Sequence, residues 1–409
     1  EDSGEAVVSW RPAQMGPDRG WNARLSLPEG GPYRIETCLR PTDQPALEWS
    51  LRGDMIRHVG VGDVFVIAGQ SNSAGYGKDP AHDPPEIGIH LLAHDGRWRL
   101  AVHPFNESTD TIHPANREIA NPGHSPWLAF ARRLRRGIRV PIGLVQAALG
   151  GSPLSAWNPD EDGTLYRNLR DILAPLRPDP DAAWPLRPDE PRLLAGVLWY
   201  QGESDTGEGA CDTYLDRFTN VVAHLRRDLG DPGLPWITVQ LGRLTTESDA
   251  AGDTRWGKVR EAQRQAARRI PRVGVVPAVD LPLCDLIHIA SAGNLALGER
   301  AARVALGAFY GLGEPVRCPE PEWAVRQGRR QVRVRFACVP ERMLDLSVPP
   351  SLSPYRLECP DGRLLSPVAI AWPDPDEVVL DFGEDLAPGC RLHGAHGQNP
   401  YPVVPVEVS

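Results

Sequence analysis

The period of the apolar positions changes twice along this chain. Up to about residue 60 there is no helical period, and Tyr33-Arg34-Ile35-Glu36-Thr37-Cys38-Leu39 alternates as a half-buried strand does. From residue 61 onward, short apolar runs alternate with amphipathic stretches. Val64-Phe65-Val66-Ile67-Ala68 predicts a buried strand ending in a tight turn at Gly69-Gln70-Ser71-Asn72. Leu128-Ala129-Phe130-Ala131-Arg132-Arg133-Leu134 predicts an amphipathic helix opened by Ser125-Pro126. Further buried strands are predicted over 142–148, 193–200, 236–240 and 273–276, and helices over 214–229, 258–270 and 292–309. From about residue 314 the period returns to two, in Gln331-Val332-Arg333-Val334-Arg335-Phe336, Arg356-Leu357-Glu358-Cys359 and Val378-Val379-Leu380-Asp381-Phe382.

Repeated strand–helix alternation implies a parallel sheet with helices on both faces. The expected organisation is an N-terminal β region over 1–60, an α/β domain over 61–313 and a C-terminal β-sandwich region over 314–409. The two β regions could pack together, since the α/β domain lies between them in the chain. The 409 residues, 41% of them apolar, suffice for a large core with smaller companions. Pro 42 and Gly 40 point to many turns and irregular loops.

The net charge of −9 comes without a basic patch, so no nucleic-acid partner is expected. No apolar run reaches membrane-spanning length, so no membrane partner is expected either. Seven cysteines at scattered spacings supply no metal-ligand pairs, although a Cys338–Cys359 pairing in the C-terminal β region is conceivable. His58, His82, His90, His94, His103, His113 and His124 have no metal spacing, and neither metal nor cofactor is expected. The chain starts at Glu1 without a signal segment. A secreted or periplasmic protein is favoured if a leader has been removed; the cytoplasm and the oligomeric state stay open.

Four segments at or just after strand ends carry polar groups or glycines. They are Gly69-Gln70-Ser71-Asn72, Gly150-Gly151-Ser152, Trp199-Tyr200-Gln201-Gly202-Glu203-Ser204-Asp205 and Asp285-Leu286-Ile287-His288. A doubly wound sheet gathers such ends on one edge, where ligands bind. Together they supply a nucleophile, a base with an orienting carboxylate, and oxyanion donors, which is what acyl transfer requires. Taken alone, Ser71 reads as a turn-capping serine and His288 as a satisfied core histidine; the combination reverses both readings.

In this order and spacing, over residues 61–310, the four blocks resemble the SGNH hydrolase superfamily. Within it they are most similar to the sialate O-acetylesterase-like carbohydrate esterases, relatives of acetylxylan and xyloglucan acetylesterases. Leu392-His393-Gly394-Ala395, followed by Asn399-Pro400, resembles the family's ending. Ser73 stands where the group usually has Met, and Ile289 where Pro commonly follows the histidine; neither change touches the chemistry.

The resemblance implies a flavodoxin-like α/β/α sandwich and a serine esterase that removes acetyl groups from an acetylated carbohydrate. Ser71 would attack the ester carbonyl, His288 would act as base, and Asp285 would fix its tautomer. The N–H groups of Ser71 and Gly151, with Gly150 as fallback, and the Gln201 amide would form the oxyanion hole. Glu203 would support the site, while Trp157 and Asn72 are candidates for binding the sugar. The loop Asn116-Arg117-Glu118 could border the pocket, with His113 and His124 flanking it. The alternatives are a sialic acid O-acetylesterase, a short-chain arylesterase and a non-catalytic carbohydrate-binding protein on the same scaffold.

Overall fold

The computed structural model of the protein describes residues 3–18, 20–40, 51–118, 122–177, 181, 183–186, 192–314, 317–339, 349–395 and 397–400. The N-terminal β region is a long antiparallel hairpin of β1 (Gly30–Leu39) and β2 (Leu51–Val61), largely open to solvent. β2 leads through Gly62 into β3 (Asp63–Gly69), the middle strand of a seven-stranded sheet. The other strands are β4 (Ile89–Leu92), β5 (Trp98–Leu100), β6 (Ile142–Gln146), β7 (Gly196–Tyr200), β8 (Trp236–Gln240) and β9 (Val273–Pro277). Their order is β9-β8-β7-β3-β6-β4-β5, parallel throughout except for edge strand β5.

The apolar runs make the central strands because both faces of a parallel sheet are covered. Phe65, Val66, Ile67 and Ala68 of β3 are all buried. The helices include α1 (Ser71–Ala74), α2 (Trp127–Ile138), α3 (Thr164–Leu173), α4 (Ala210–Asp228), α5 (Ala250–Arg269) and α6 (Ser291–Ala308). α2 packs on α6, and α4 on α5. In α2, Trp127, Leu128, Phe130, Ala131 and Leu134 turn inward, while Ser125 Oγ accepts from Trp127 N at its start. At the α2–α6 crossing the backbones come so close that a Cβ on Gly298 would lie 2.3 Å from the Pro126 carbonyl oxygen. No helix among the described residues is long and apolar enough to cross a membrane.

The C-terminal β region is sandwich-like. Its strands are β10 (Glu320–Gln327), β11 (Gln331–Ala337), β12 (Tyr355–Glu358), β13 (Leu364–Leu365), β14 (Ala369–Ala371), β15 (Glu377–Asp381) and β16 (Arg391–Gly394). One sheet has the order β10-β11-β15-β14 and the other β13-β12-β16. Val334, Val378 and Leu380 of the first meet Tyr355 and Leu357 of the second in one small core.

Beyond β16 the chain straps back onto the α/β domain. The buried Arg260 guanidinium of α5 donates to the carbonyls of Leu241 (3.0 Å), Ala395 (3.3 Å) and Gln398 (3.2 Å), and also to those of Gly242 and Gly397. Gln398 O accepts from Leu244 N at 3.0 Å, and Gln398 N donates to Asp253 at 2.9 Å.

β4 and β5 occupy part of the 78–124 stretch, and α3 and a short helix over Leu154–Trp157 lie inside the Pro-rich 153–192 stretch, where the sequence pattern predicts neither strand nor helix.

Candidate active site

β3 is the switch point of the sheet: the strands following it in sequence, β4 to β6, lie to one side and β7 to β9 to the other. The turns after β3, β6 and β7 therefore open into one crevice at the carboxyl ends of the strands. Gly69 permits the first turn. Its φ is +114°, and a Cβ there would fall 2.2 Å from the Tyr200 carbonyl oxygen on β7. The chain then enters α1, with Ser71 as its first residue.

Ser71, Asp285 and His288 come together across more than 200 positions of sequence. His288 Nε2 lies 2.9 Å from Ser71 Oγ, and His288 Nδ1 lies 2.7 Å from Asp285 Oδ2. Asp285 also shapes its own loop, because Oδ1 accepts from Ile287 N at 2.9 Å and His288 N at 2.7 Å. Partial burial works against its charge, but these N–H groups and the imidazole outweigh it and hold the carboxyl below the usual carboxylate range. Nδ1 facing a carboxylate carries the proton, which leaves Nε2 as an acceptor toward the serine.

Asn72 is not a sugar ligand in this arrangement. Its side chain is buried and committed: Nδ2 donates to Glu203 Oε1 at 2.8 Å and Ile287 O at 3.3 Å, and Oδ1 accepts from Ile289 N at 2.9 Å. It thus grips the chain on both sides of His288, and Glu203 holds the grip. Burial pushes Glu203 up to about 7, and the nearby Asp205 adds to this against the Asn72 donor. Trp157 also departs from expectation. It is 1% exposed, donates to Ser152 Oγ at 3.0 Å and packs edge-on against Trp199, so it belongs to the core rather than to a sugar-stacking wall.

The Gln201 amide does not point into the crevice. The side chain is 0% exposed, and Nε2 donates to Asp205 Oδ2 (2.6 Å) and Ser152 O (3.2 Å), while Tyr214 donates to Oε1 (3.1 Å). Turning the amide over would set its oxygen against the Asp205 carboxylate, so its proton-bearing side is committed to bracing the third block. Gly150 is likewise unavailable, because its N–H donates to Glu118 Oε1. Gly151, at φ +65°, and Ser71 have backbone N–H groups without a partner among the described residues.

Glu118 does border the site, through a contact with no sequence signal. It accepts from Tyr76 OH at 3.2 Å, and the Tyr76 ring sits 4.8 Å from the His288 imidazole. Asn116 is buried and donates to Ala147 O at 2.6 Å, holding the chain beyond β6. His124 joins a different group. Asp83 Oδ2 meets His103 Nε2 at 3.0 Å and His124 Nε2 at 3.1 Å, and Arg132 reaches Oδ1 at 2.7 Å. These three acid and imidazole groups fall within 4.8 Å of one another, although their spacing in sequence gives no sign of it. Ser125 N donates to His103 Nδ1 at 3.4 Å, so the His103 proton sits on Nε2 and points at Asp83. Through these bonds the cluster ties Asp83, His103 and His124 to Arg132 of α2.

A family model described as carbohydrate esterase, sialic acid-specific acetylesterase matches residues 61–307. A probable carbohydrate esterase of Arabidopsis thaliana is 30% identical over 270 residues, covering 60% of this chain and 91% of that one. The crystal structure of a carbohydrate acetylesterase from Xanthomonas citri shares the fold with a TM-score of 0.63 at 21% identity, covering 86% of this chain and 78% of that one. The match to the family model spans more than half of the chain and contains the serine turn, the glycine turn, the third block and the Asp285-His288 loop. The chain therefore belongs to the sialic acid-specific acetylesterase family of carbohydrate esterases and is a carboxylic ester hydrolase.

Proposed function

We propose that the protein removes O-acetyl groups from a carbohydrate through an acetyl-enzyme formed on Ser71. The observation that carries the reading is the unbroken series Asp285 Oδ2, His288 Nδ1, His288 Nε2, Ser71 Oγ, with contacts of 2.7 and 2.9 Å. Ser71 Oγ attacks the acetyl carbonyl as His288 takes its proton. The imidazolium returns that proton to the departing sugar hydroxyl, with Asp285 stabilising the charge. Water, activated by the same histidine, then releases acetate. The Ser71 and Gly151 N–H groups receive the developing oxyanion, a donor of this kind being worth about 10²–10³ in rate. Residues 61–313 carry the catalysis in this reading, with 1–60 and 314–409 as accessory regions.

Acetate release from acetylated xylan, xyloglucan, pectin, mannan and O-acetylated sialic acid tests the substrate class, with p-nitrophenyl acetate as the general ester. Preference for the sialic acid would favour the first alternative reading, and faster turnover of butyryl than acetyl esters the arylesterase. Absence of turnover on every ester between pH 6 and 9, a range chosen to span histidine ionisation, would leave the carbohydrate-binding reading in its place. Activity should fall toward acid pH as the base is protonated, so a profile flat down to about pH 4 contradicts a histidine base.

Glu203 acts through Asn72 in this reading. Glu203→Ala should lower kcat about 10- to 100-fold with little change in KM, the cost of a loosened base, whereas Glu203→Gln, whose carbonyl can still accept from Asn72, should retain most activity. The folded protein keeps the Glu203 proton up to about pH 7, while an ordinary carboxyl releases it near 4.5. Between those values the folded state binds more protons than the unfolded chain, so this group makes stability fall as pH rises. The Gln variant should therefore melt with a weaker dependence on pH between 5 and 7, and an unchanged dependence would place the titration elsewhere.

A further inference from the structure

Two thiols stand opposite one another in the C-terminal sandwich. β12 and β16 run antiparallel, with Leu357 opposite Leu392 and Glu358 opposite Arg391, so the next rung sets Cys359 against Cys390. The character of that rung follows from the other end of the ladder. Ala395 N donates to Pro354 O at 2.9 Å, which makes 354/395 a hydrogen-bonded pair. Rungs alternate, so 355/394, 357/392 and 359/390 are non-hydrogen-bonded pairs. In such pairs the Cα atoms are about 4.5 Å apart and the side chains at their closest, inside the span of about 4.4–6.8 Å that a disulfide bridges.

The face is the same for both residues. Tyr355 and Leu357 point into the sandwich core, and by the twofold period of a strand so does Cys359, which is 7% exposed. Cys390 packs against that core from the facing strand. Burial raises the Cys359 thiol's pKa, and the neighbouring Cys390 thiol raises it further. Cys338, whose pairing with Cys359 spacing alone left open, stands exposed just beyond β11.

We propose that Cys359 and Cys390 form a cross-strand disulfide when the protein meets an oxidised thiol such as glutathione disulfide. The less buried Cys390 thiolate attacks one sulfur of the disulfide and displaces a glutathione thiolate. Cys359, deprotonated, then attacks the Cys390 sulfur of the mixed disulfide and displaces the second glutathione. The two protons and two electrons leave as two molecules of reduced glutathione. The bond closes a loop containing β13, β14 and β15 and fixes the root of the strap that follows β16.

The test uses the full chain, equilibrated with glutathione disulfide, denatured and alkylated with iodoacetamide. The expected result is one peptide pair joined through Cys359 and Cys390, with both thiols protected from alkylation and both alkylated after dithiothreitol. The oxidised protein should melt about 4 °C or more above the reduced one, and Cys390→Ser should abolish the difference. Alkylation of both thiols in the oxidised sample, a link from Cys359 to Cys338, or a melting difference that survives Cys390→Ser would overturn the proposal.

Discussion

Ser71→Ala is expected to lower turnover of p-nitrophenyl acetate by about 10⁴- to 10⁶-fold, the range over which removal of a serine nucleophile acts when binding and oxyanion donors stay intact. Folding should be spared. Among the described residues the hydroxyl makes one side-chain hydrogen bond, the 2.9 Å approach to His288 Nε2, and the turn around it is held by backbone bonds such as Gln70 N to Tyr200 O at 2.8 Å. Methyl in place of hydroxymethyl fits the same space. The measurement is kcat beside the melting temperature of the same preparation. A variant that keeps its melting temperature and more than about a tenth of its activity, against the range above, would mean that another group attacks the ester.

Asp285→Asn is expected to cost about 10²–10⁴ in kcat with KM nearly unchanged. The carboxylate accepts from three N–H groups: Ile287 N, His288 N and His288 Nδ1. An amide offers one oxygen. If that oxygen keeps the two backbone groups, its NH2 faces Nδ1 and selects the imidazole tautomer protonated at Nε2. That tautomer donates to Ser71 and cannot take its proton. The loss should fall short of a fully buried triad because the Asp285 side chain is 43% exposed, so water can partly replace it. Wild-type kcat in Asp285→Asn would remove the aspartate from the mechanism.

The crevice was legible because its parts sit where a buried apolar run stops. Phe65 to Ala68 and Gly196 to Tyr200 are buried on both faces, and the first polar residue after each must turn out of the sheet. The sequence pattern was silent where elements are short or their neighbours mislead. β4 has only Ile89, His90, Leu91 and Leu92, too few for a period to show. α3 does carry its helical signal, with Leu165, Tyr166, Leu169, Ile172 and Leu173 on one buried face, but it lies among prolines that read as loop. The side-chain roles of Gln201, Asn72 and Trp157 were beyond reach for a different reason. Each depends on which partner gets there first: Asp205 for Gln201, Glu203 and the His288 loop for Asn72, Ser152 and Trp199 for Trp157. Residue type fixes what a group can bond, whereas the fold decides what is left over for a ligand.

The strap after β16 bears on how the protein is made. Leu244 N bonds Gln398 O, and the next residue, Thr245, bonds Leu286 O at 2.9 Å through its N–H, inside the loop that carries Asp285 and His288. That loop leaves the ribosome roughly 110 residues before its brace, a delay of about 6–22 s at ordinary rates of synthesis. During that interval the loop already has its contacts with Asn72 and Thr245, and what is missing is the hold of Gln398 on Leu244 beside Thr245. The Gln398 bond to Leu244 should therefore be among the last contacts of the α/β domain to form, after β16 has been translated.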